Sequence, residues 1–398
     1  MGIGNIASSG IKAALTHMES ISNNIANVNT LGFKKTLVNF ADIYSGMGGG
    51  SKGIGLGTRV HSVQQSFATG RIESSERALD LRLSNDGFFI EKDPVSGRVV
   101  YTRAGRMGVD NDGYIMGFNG VLQGYPATDG TVSATGNLVD LKIPTAPIPA
   151  EATDNIGFQM NLDAGEEAIL DPFDKDNKDT YNHSSTETVY DSLGQNYTVT
   201  TYYVKTASNT WDVHVVVDDT EIGSGNLNFN SEGVLVSSTG LTGLSFTPTS
   251  GAVSPQNFDI DVSSFTQYKG ENKVYDHFHN GMSSGTFNGL SIDDDGRIQV
   301  SYSNGLTRVE GQIAVAKFRS PQGLLQSDNM SWIESTESGP ALVSPDNSQN
   351  AIKSQSLEYS NVDLSDELVK LIGAQHDFQA NAQVQQTYNQ ILQTIENL

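Results

Sequence analysis

Several strings in this chain carry residue types that could do chemistry. Asp276-His277-Phe278-His279 groups three side chains of the metal-ligating kind, but no further ligand set accompanies them. Asp171 to Asp179 resembles a calcium loop; Lys178 falls where a ligand belongs and the central glycine is missing, so the string reads as a solvated acidic loop. Gly49-Gly50-Ser51-Lys52-Gly53 matches a nucleophile elbow letter by letter, yet it sits in a glycine run with no strand before it. Asp293-Asp294-Asp295-Gly296 reads as a turn rather than as paired catalytic carboxylates. Without a zincin, phosphate-loop or dinucleotide motif, the expectation is a protein that is not an enzyme and holds no cofactor or metal.

Composition narrows the classes further. The net charge of −22 argues against nucleic acid and anionic membranes as partners, because both draw on clustered Lys and Arg. The acidity concentrates in 151–270, whereas 1–71 is slightly basic. With no cysteine there are no disulfides, thiolate metal sites or thiol nucleophiles. No stretch reaches membrane-spanning length, and the start MGIGNIASSGIKAAL lacks the basic, apolar and cleavage regions of a secretory leader. An exported chain of this kind is expected to leave the cell without a cleaved signal. The 398 residues exceed one compact core, and 41 glycines favour β-structure with tight turns.

The elements that position the rest begin at the two ends, which read as helices. Ala7, Ile11, Ala14, Met18, Ile21, Ile25 and Val28 form an apolar heptad seam, and Gly32 is the expected helix stop. At the other end, Asn361 or Asp363 caps a second helix. Its first seam runs Leu364, Leu368, Leu371, Gln375, Phe378, Ala382; an offset seam runs Val384, Tyr388, Ile391, Ile395, Leu398. A face that shifts along a helix implies more than one packing partner. Either helix also reads as an ordinary amphipathic helix on its own core. Burying one seam falls short of the conformational entropy of ordering its helix, so the ends are expected to need further partners, most simply copies of themselves. Seven glutamines between Gln375 and Gln393, with Asp377 the sole full charge among them, suit burial in an assembly or a wet channel, or reflect drift.

Between the ends lie short alternating segments with turn signals, such as Asn85-Asp86-Gly87 and Asp112-Gly113. Ile143-Pro-Thr-Ala-Pro-Ile-Pro149 reads as a linker before a second β-rich block containing Tyr197–Val204 and Trp211–Val217. The expected fold is mainly β with α-helical termini and nested discontinuous domains. Residues 1–33 and 360–398 form a coiled-coil-like core, and 34–70 a flexible assembly segment with the glycine-rich 45–57. An inner β-domain takes 71–145 and 271–359, and an outer β-domain is inserted at 146–270.

Two motifs at opposite ends carry a family resemblance. Ser22-Asn-Asn24-Ile-Ala-Asn27-Val-Asn-Thr-Leu-Gly32-Phe33-Lys34 resembles the N-terminal signature of the flagellar rod, hook and hook-junction family. Ser360-Asn361-Val362-Asp-Leu-Ser-Asp-Glu-Leu-Val369 and Ala374-Gln-His-Asp-Phe-Gln-Ala-Asn-Ala382 resemble its C-terminal partner. Leu79-Asp-Leu81, Tyr101-Thr-Arg-Ala-Gly105 and Pro321-Gln-Gly323 resemble the family's first β-domain. Thr188-Val-Tyr-Asp-Ser-Leu-Gly194 resembles the outer domain of its hook branch. Lys353-Ser-Gln-Ser-Leu357 lacks the family's usual glycine, and His376 stands where an Arg is common.

The resemblance implies a structural subunit of the bacterial flagellar hook, a flexible curved tube that joins rod to filament and transmits torque. It implies unfolded export through the type III apparatus, assembly beneath a hook cap protein, and contacts with distal rod and hook–filament junction proteins. Phe40-Ala-Asp-Ile-Tyr44 is similar to the segment family members offer the export gate. Alternatives are a distal rod or junction protein, or a secreted β-rich adhesin.

Overall fold

The computed structural model describes residues 3–43, 55–128, 130–133, 137–344 and 352–396. Most of the regular structure is strand, with one long helix at each end of the chain. The backbone divides into two compact units. One takes 1–145, 289–301 and 307–398, the other 146–288 and 302–306.

In the first unit, helix α1 spans Ile3–Ala26. It stops ahead of the expected Gly32 because a cluster of asparagines turns the backbone: Asn27 Nδ2 donates to the Asn23 carbonyl at 2.9 Å, and Thr30 Oγ1 donates to Asn27 Oδ1 at 3.1 Å. Val28 therefore lies in the turn beyond the helix. Strand β1, Thr36–Asp42, then pairs antiparallel with β2, Thr58–Gln65, so the segment expected to be a flexible linker contributes a hairpin. Tyr44 and most of the glycine-rich run lie outside the described residues. Helix α2 spans Leu364–Glu396, and Asp363 caps it by accepting the Ser365 and Asp366 amides at 2.8 and 3.2 Å.

The β-layer of this unit is built from both halves of the chain. Val121–Thr128 pairs with Thr307–Ile313, and Val99–Thr102 with Ser331–Ile333. Edge-to-face aromatics fill its core: Phe88 and Trp332 at 5.5 Å, Tyr101 and Phe318 at 4.8 Å. Two short pairings lead the chain back toward α2, Leu81–Leu83 with Ile352–Ser354 and Ile72–Ser74 with Ser356–Glu358.

The second unit packs two sheets on one core. Five antiparallel strands run from His183–Tyr190 to Leu235–Thr239 in sequence order; four others are ordered Leu244–Phe246, Gln256–Asp261, Asn155–Asn161, Lys273–His279. Strict alternation turns Tyr197, Val199 and Tyr203, then Trp211, Val213 and Val215, onto Phe158, Phe258 and Ile260. Because Lys273–His279 pairs with Asn155–Asn161, the chain returns to the first unit near 289, later than the expected 271.

Candidate assembly joint between the chain ends

The two terminal helices lie against each other. Small residues on α1 make the approach close: a Cβ on Gly10 would stand 2.5 Å from Asn381 Oδ1, and one on Gly4 would meet the Tyr388 ring. Further along, Asn24 Nδ2 donates to Glu367 Oε2 at 3.2 Å. Partner numbers on α2 fall as those on α1 rise, so the pair is antiparallel.

The expected α1 seam divides in two. Ala7, Ala14 and Ile21 are buried, together with Ala13, whereas Ile11, Met18 and Ile25 are half-exposed. On α2 the face toward α1 includes Glu367, Ala374, Asn381, Gln385 and Tyr388, with Leu371 and Phe378 half-buried at matching heptad spacing. That face is offset from the apolar seams read in the sequence. Leu364, Leu368, Gln375, Ile391 and Ile395 are exposed, and Ala382 is half-buried. The offset has an electrostatic cause. Glu367, buried in the first turn, is drawn inward by Asn24 and by Lys370 Nζ at 2.6 Å.

Below the helix pair, two asparagines clamp the connecting segment. Asn24 Oδ1 accepts the Thr36 amide at 2.9 Å and its Nδ2 donates to the Thr36 carbonyl at 2.9 Å, pairing both backbone groups where β1 begins. Asn361 is no helix cap. Its Oδ1 accepts the Lys35 amide at 2.8 Å, and its Nδ2 donates to the Ser66 and Ala68 carbonyls at 2.7 and 3.1 Å. Gly32 sits at φ +68° with Ala104 N only 2.5 Å from where a Cβ would be, so the crossing requires glycine. Its amide donates to the Glu358 carbonyl at 2.9 Å, and Leu31 bridges Tyr359. Phe33 and Val362 are buried at this joint.

At its centre Lys34 and Glu358 meet at 2.6 Å, both side chains almost fully buried, and Arg103 Nη1 reaches the other carboxylate oxygen at 3.3 Å. Glu358 Oε1 also accepts the Gly70 amide at 2.8 Å, and Lys34 Nζ donates to the Ala68 carbonyl at 2.8 Å. Burial pushes the Glu358 carboxyl upward, but the Lys34 and Arg103 charges outweigh it and hold the group below its ordinary range. Burial pulls the Lys34 ammonium down, against the opposing pull of Glu358. Lys34 and Arg103 lie inside the Ser22–Lys34 and Tyr101–Gly105 motifs, whose resemblance assigns them no role; a lysine directly after Gly32-Phe33 is the signal the sequence offers.

The strings with ligand-type residues resolve otherwise. His279 Nδ1 and His277 Nε2 lie 3.0 and 3.6 Å from the buried Glu187 carboxylate, a partner invisible in the sequence, while Asp276 binds the amide of His277. Asp293 accepts the Asp295 and Arg297 amides in a turn, and Lys175 sits between Asp176 and Asp219 in the acidic loop. Among the described residues no cluster of three ligating side chains could hold a metal. Phe40 lies on β1, partly exposed and edge-on to His17 at 5.7 Å.

These contacts tie helix, hairpin and β-layer together at one joint and leave apolar side chains of α2 exposed. Residues 5–34 match the flagella basal body rod protein model, 161–282 the flagellar basal body protein FlaE D2 domain, and 353–398 the flagellar basal body rod FlgEFG protein C-terminal model. The chain is 35% identical to the flagellar hook protein FlgE of Escherichia coli (strain K12), with 98% of each chain covered. It is 30% identical to that of Borreliella burgdorferi, again with 98% of each covered. The crystal structure of Helicobacter pylori flagellar hook protein FlgE2 superposes with a TM-score of 0.54 over 73% of this chain and 99% of that one, at 14% identity, a likeness of fold. These two relatives, matched over 98% of their length, are hook proteins, which favours the hook over the rod, junction and adhesin alternatives. A structural subunit with helical ends and β-rich domains between them in sequence, this chain belongs to the flagellar hook protein family.

Proposed function

We propose that the chain builds the hook by packing its α1–α2 pair against the pairs of neighbouring copies, so that the terminal helices line the tube and the β-rich units form its outside. One observation carries this reading. Leu364, Leu368, Val369, Ile372, Ile391, Leu392 and Ile395 are exposed on α2 of the single chain, alongside half-exposed Ile11, Met18 and Ile25 on α1. An apolar surface of this kind is costly in water and marks an interface. Asn24, Asn27, Gly32, Phe33, Asn361 and Val362 act as positioning residues, fixing the helix pair on the β-layer so that one copy transmits force to the next. The tube bends as a universal joint when outer units slide over their neighbours.

The same reading supplies the partners. The chain passes the type III apparatus, with Phe40 and Tyr44 as the segment offered to the gate. It adds beneath a hook cap protein and meets distal rod and hook–filament junction proteins at the two ends of the tube. Electron microscopy of basal bodies from a strain lacking this gene tests the assignment. Rods that end without hooks are expected; hooks of normal length and curvature would overturn it.

A further inference from the structure

Three full charges on the terminal helices have no partner inside the chain. Lys12 and Glu19 are the only ones on α1, and Asp377 is the only one on α2 between Lys370 and Glu396. Lys370 is held by Glu367 at 2.6 Å, whereas the side chains of Lys12, Glu19 and Asp377 make no hydrogen bond or ion pair among the described residues. All three are exposed, so water solvates each of them in the single chain. Assembly changes that, because a charge carried into a contact between helices is costly unless it meets an opposite one.

Asp377 also lines a cavity. About 260 Å³ opens between α1, α2 and the β1–β2 hairpin, lined among others by Ala13, Ala14 and His17 of α1, Phe40 of β1 and Asp377. The Phe40 ring stands edge-on to His17 at 5.7 Å and is partly exposed, so the lining is largely apolar apart from one carboxylate. An anion is repelled there, and an apolar occupant would strip water from Asp377 without pairing it. A lysine suits both parts, its methylene stem against the alanines and the ring, its ammonium at the carboxylate. Lys12 is the helix cation left without a partner. It shares a face of α1 with exposed Leu15 and, one heptad on, Glu19, opposite the buried Ala7, Ala14 and Ile21. By the same spacing Asp377 begins a face of α2 that continues through exposed Val384 and Ile391.

We infer that Lys12 of a second copy docks in this cavity and pairs with Asp377, fixing the register between neighbouring helix pairs. Each copy carries both halves on different faces, so the contact repeats from copy to copy and builds an open polymer rather than a closed pair. The inference rests on the polymer reading above and names one contact within it.

Charge reversal tests it. Polymerisation of the full chain is followed by light scattering for wild type, K12E, D377K, the K12E/D377K double variant, and a 1:1 mixture of the two single variants. Each single variant is expected to polymerise at least tenfold more slowly, with its monomer unfolding in urea at the wild-type midpoint. The double variant should recover to within threefold of wild type. So should the mixture, because alternating copies restore opposite charges at every contact; a pair formed within one chain would be rescued by the double variant alone. Single variants that polymerise at the wild-type rate, a lowered monomer midpoint, a mixture as slow as its components, or rescue of K12E by E19K in place of D377K would overturn the docking. Failure of wild-type chain to polymerise at all would instead overturn the polymer reading.

Discussion

Lys34 Nζ and Glu358 Oε1 stand 2.6 Å apart in a buried pair although 324 residues separate them in the chain. Each chain end thus contributes one charge to a single point on the β-layer, and Arg103 supplies the second cation. Removing one member strands the others away from water. Lys34→Met or Glu358→Gln is expected to cost about 3–5 kcal/mol of the first unit's stability, read by urea unfolding. Replacing all three by apolar residues of similar volume should cost less than either single change.

The depressed Glu358 carboxyl makes a pH prediction whose sign is fixed. Its folded-state pKa lies below the unfolded one, so its contribution is full above the ordinary carboxylate range and is lost as pH falls through the depressed value. Acid should therefore loosen the joint, seen as faster amide exchange at Gly32 and Gly70, whose amides Glu358 binds by its carbonyl and carboxylate. In E358Q the joint should be weak at neutral pH, with this acid step abolished.

Glu91 behaves oppositely. It is fully buried, its Oε2 accepts the Asn119 amide at 2.7 Å, and burial outweighs the hydrogen bonds from Asn119 and Phe118 and pushes its pKa up to about 7. A raised carboxyl stabilises the fold below its ordinary range and loses that contribution as pH rises toward 7. Glu91→Gln should raise stability at pH 8 by on the order of 3 kcal/mol and leave it nearly unchanged at pH 4, measured as Tm against pH.

The helices and the β character were legible because both are local. Heptad spacing marked Ala7, Ala14 and Ile21, and period-two alternation marked Tyr197–Val204. On α2 the seams marked Leu371, Phe378 and Tyr388 on the side toward α1, while the inward turn of a carboxylate, Glu367, to meet Asn24 left no pattern in the sequence. The joint itself left little local trace. Lys34, Arg103 and Glu358 are scattered in sequence, and nothing short of the fold shows that they share one point. Likewise Asn361 sits at a capping position and spends its side chain on the backbone of residues 35, 66 and 68 instead.

Asn24 offers a local test of the clamp. Asn24→Ala removes both bonds to Thr36 and the one to Glu367, with an expected loss of about 1–3 kcal/mol. Amide protection should fall first across Thr36–Asp42, with the second unit unaffected. Asn24→Asp should not rescue it, because a carboxylate cannot donate to the Thr36 carbonyl and would face Glu367.

Glycine at the helix contact is predicted to be a matter of space. Gly10→Val would force α2 away, since a Cβ there already lies 2.5 Å from Asn381. Polymerisation, followed by light scattering, should slow at least tenfold, while unfolding of the second unit stays at its wild-type midpoint.

Amide exchange compared between dilute monomer and assembled polymer asks most directly whether the ends complete their burial in neighbouring copies. Protection should rise strongly along Ile391–Glu396 and around Leu364–Ile372 on assembly, with the core strands of the second unit unchanged. Equal protection of α2 in both states, or a gain confined to the β-rich units, would contradict the account.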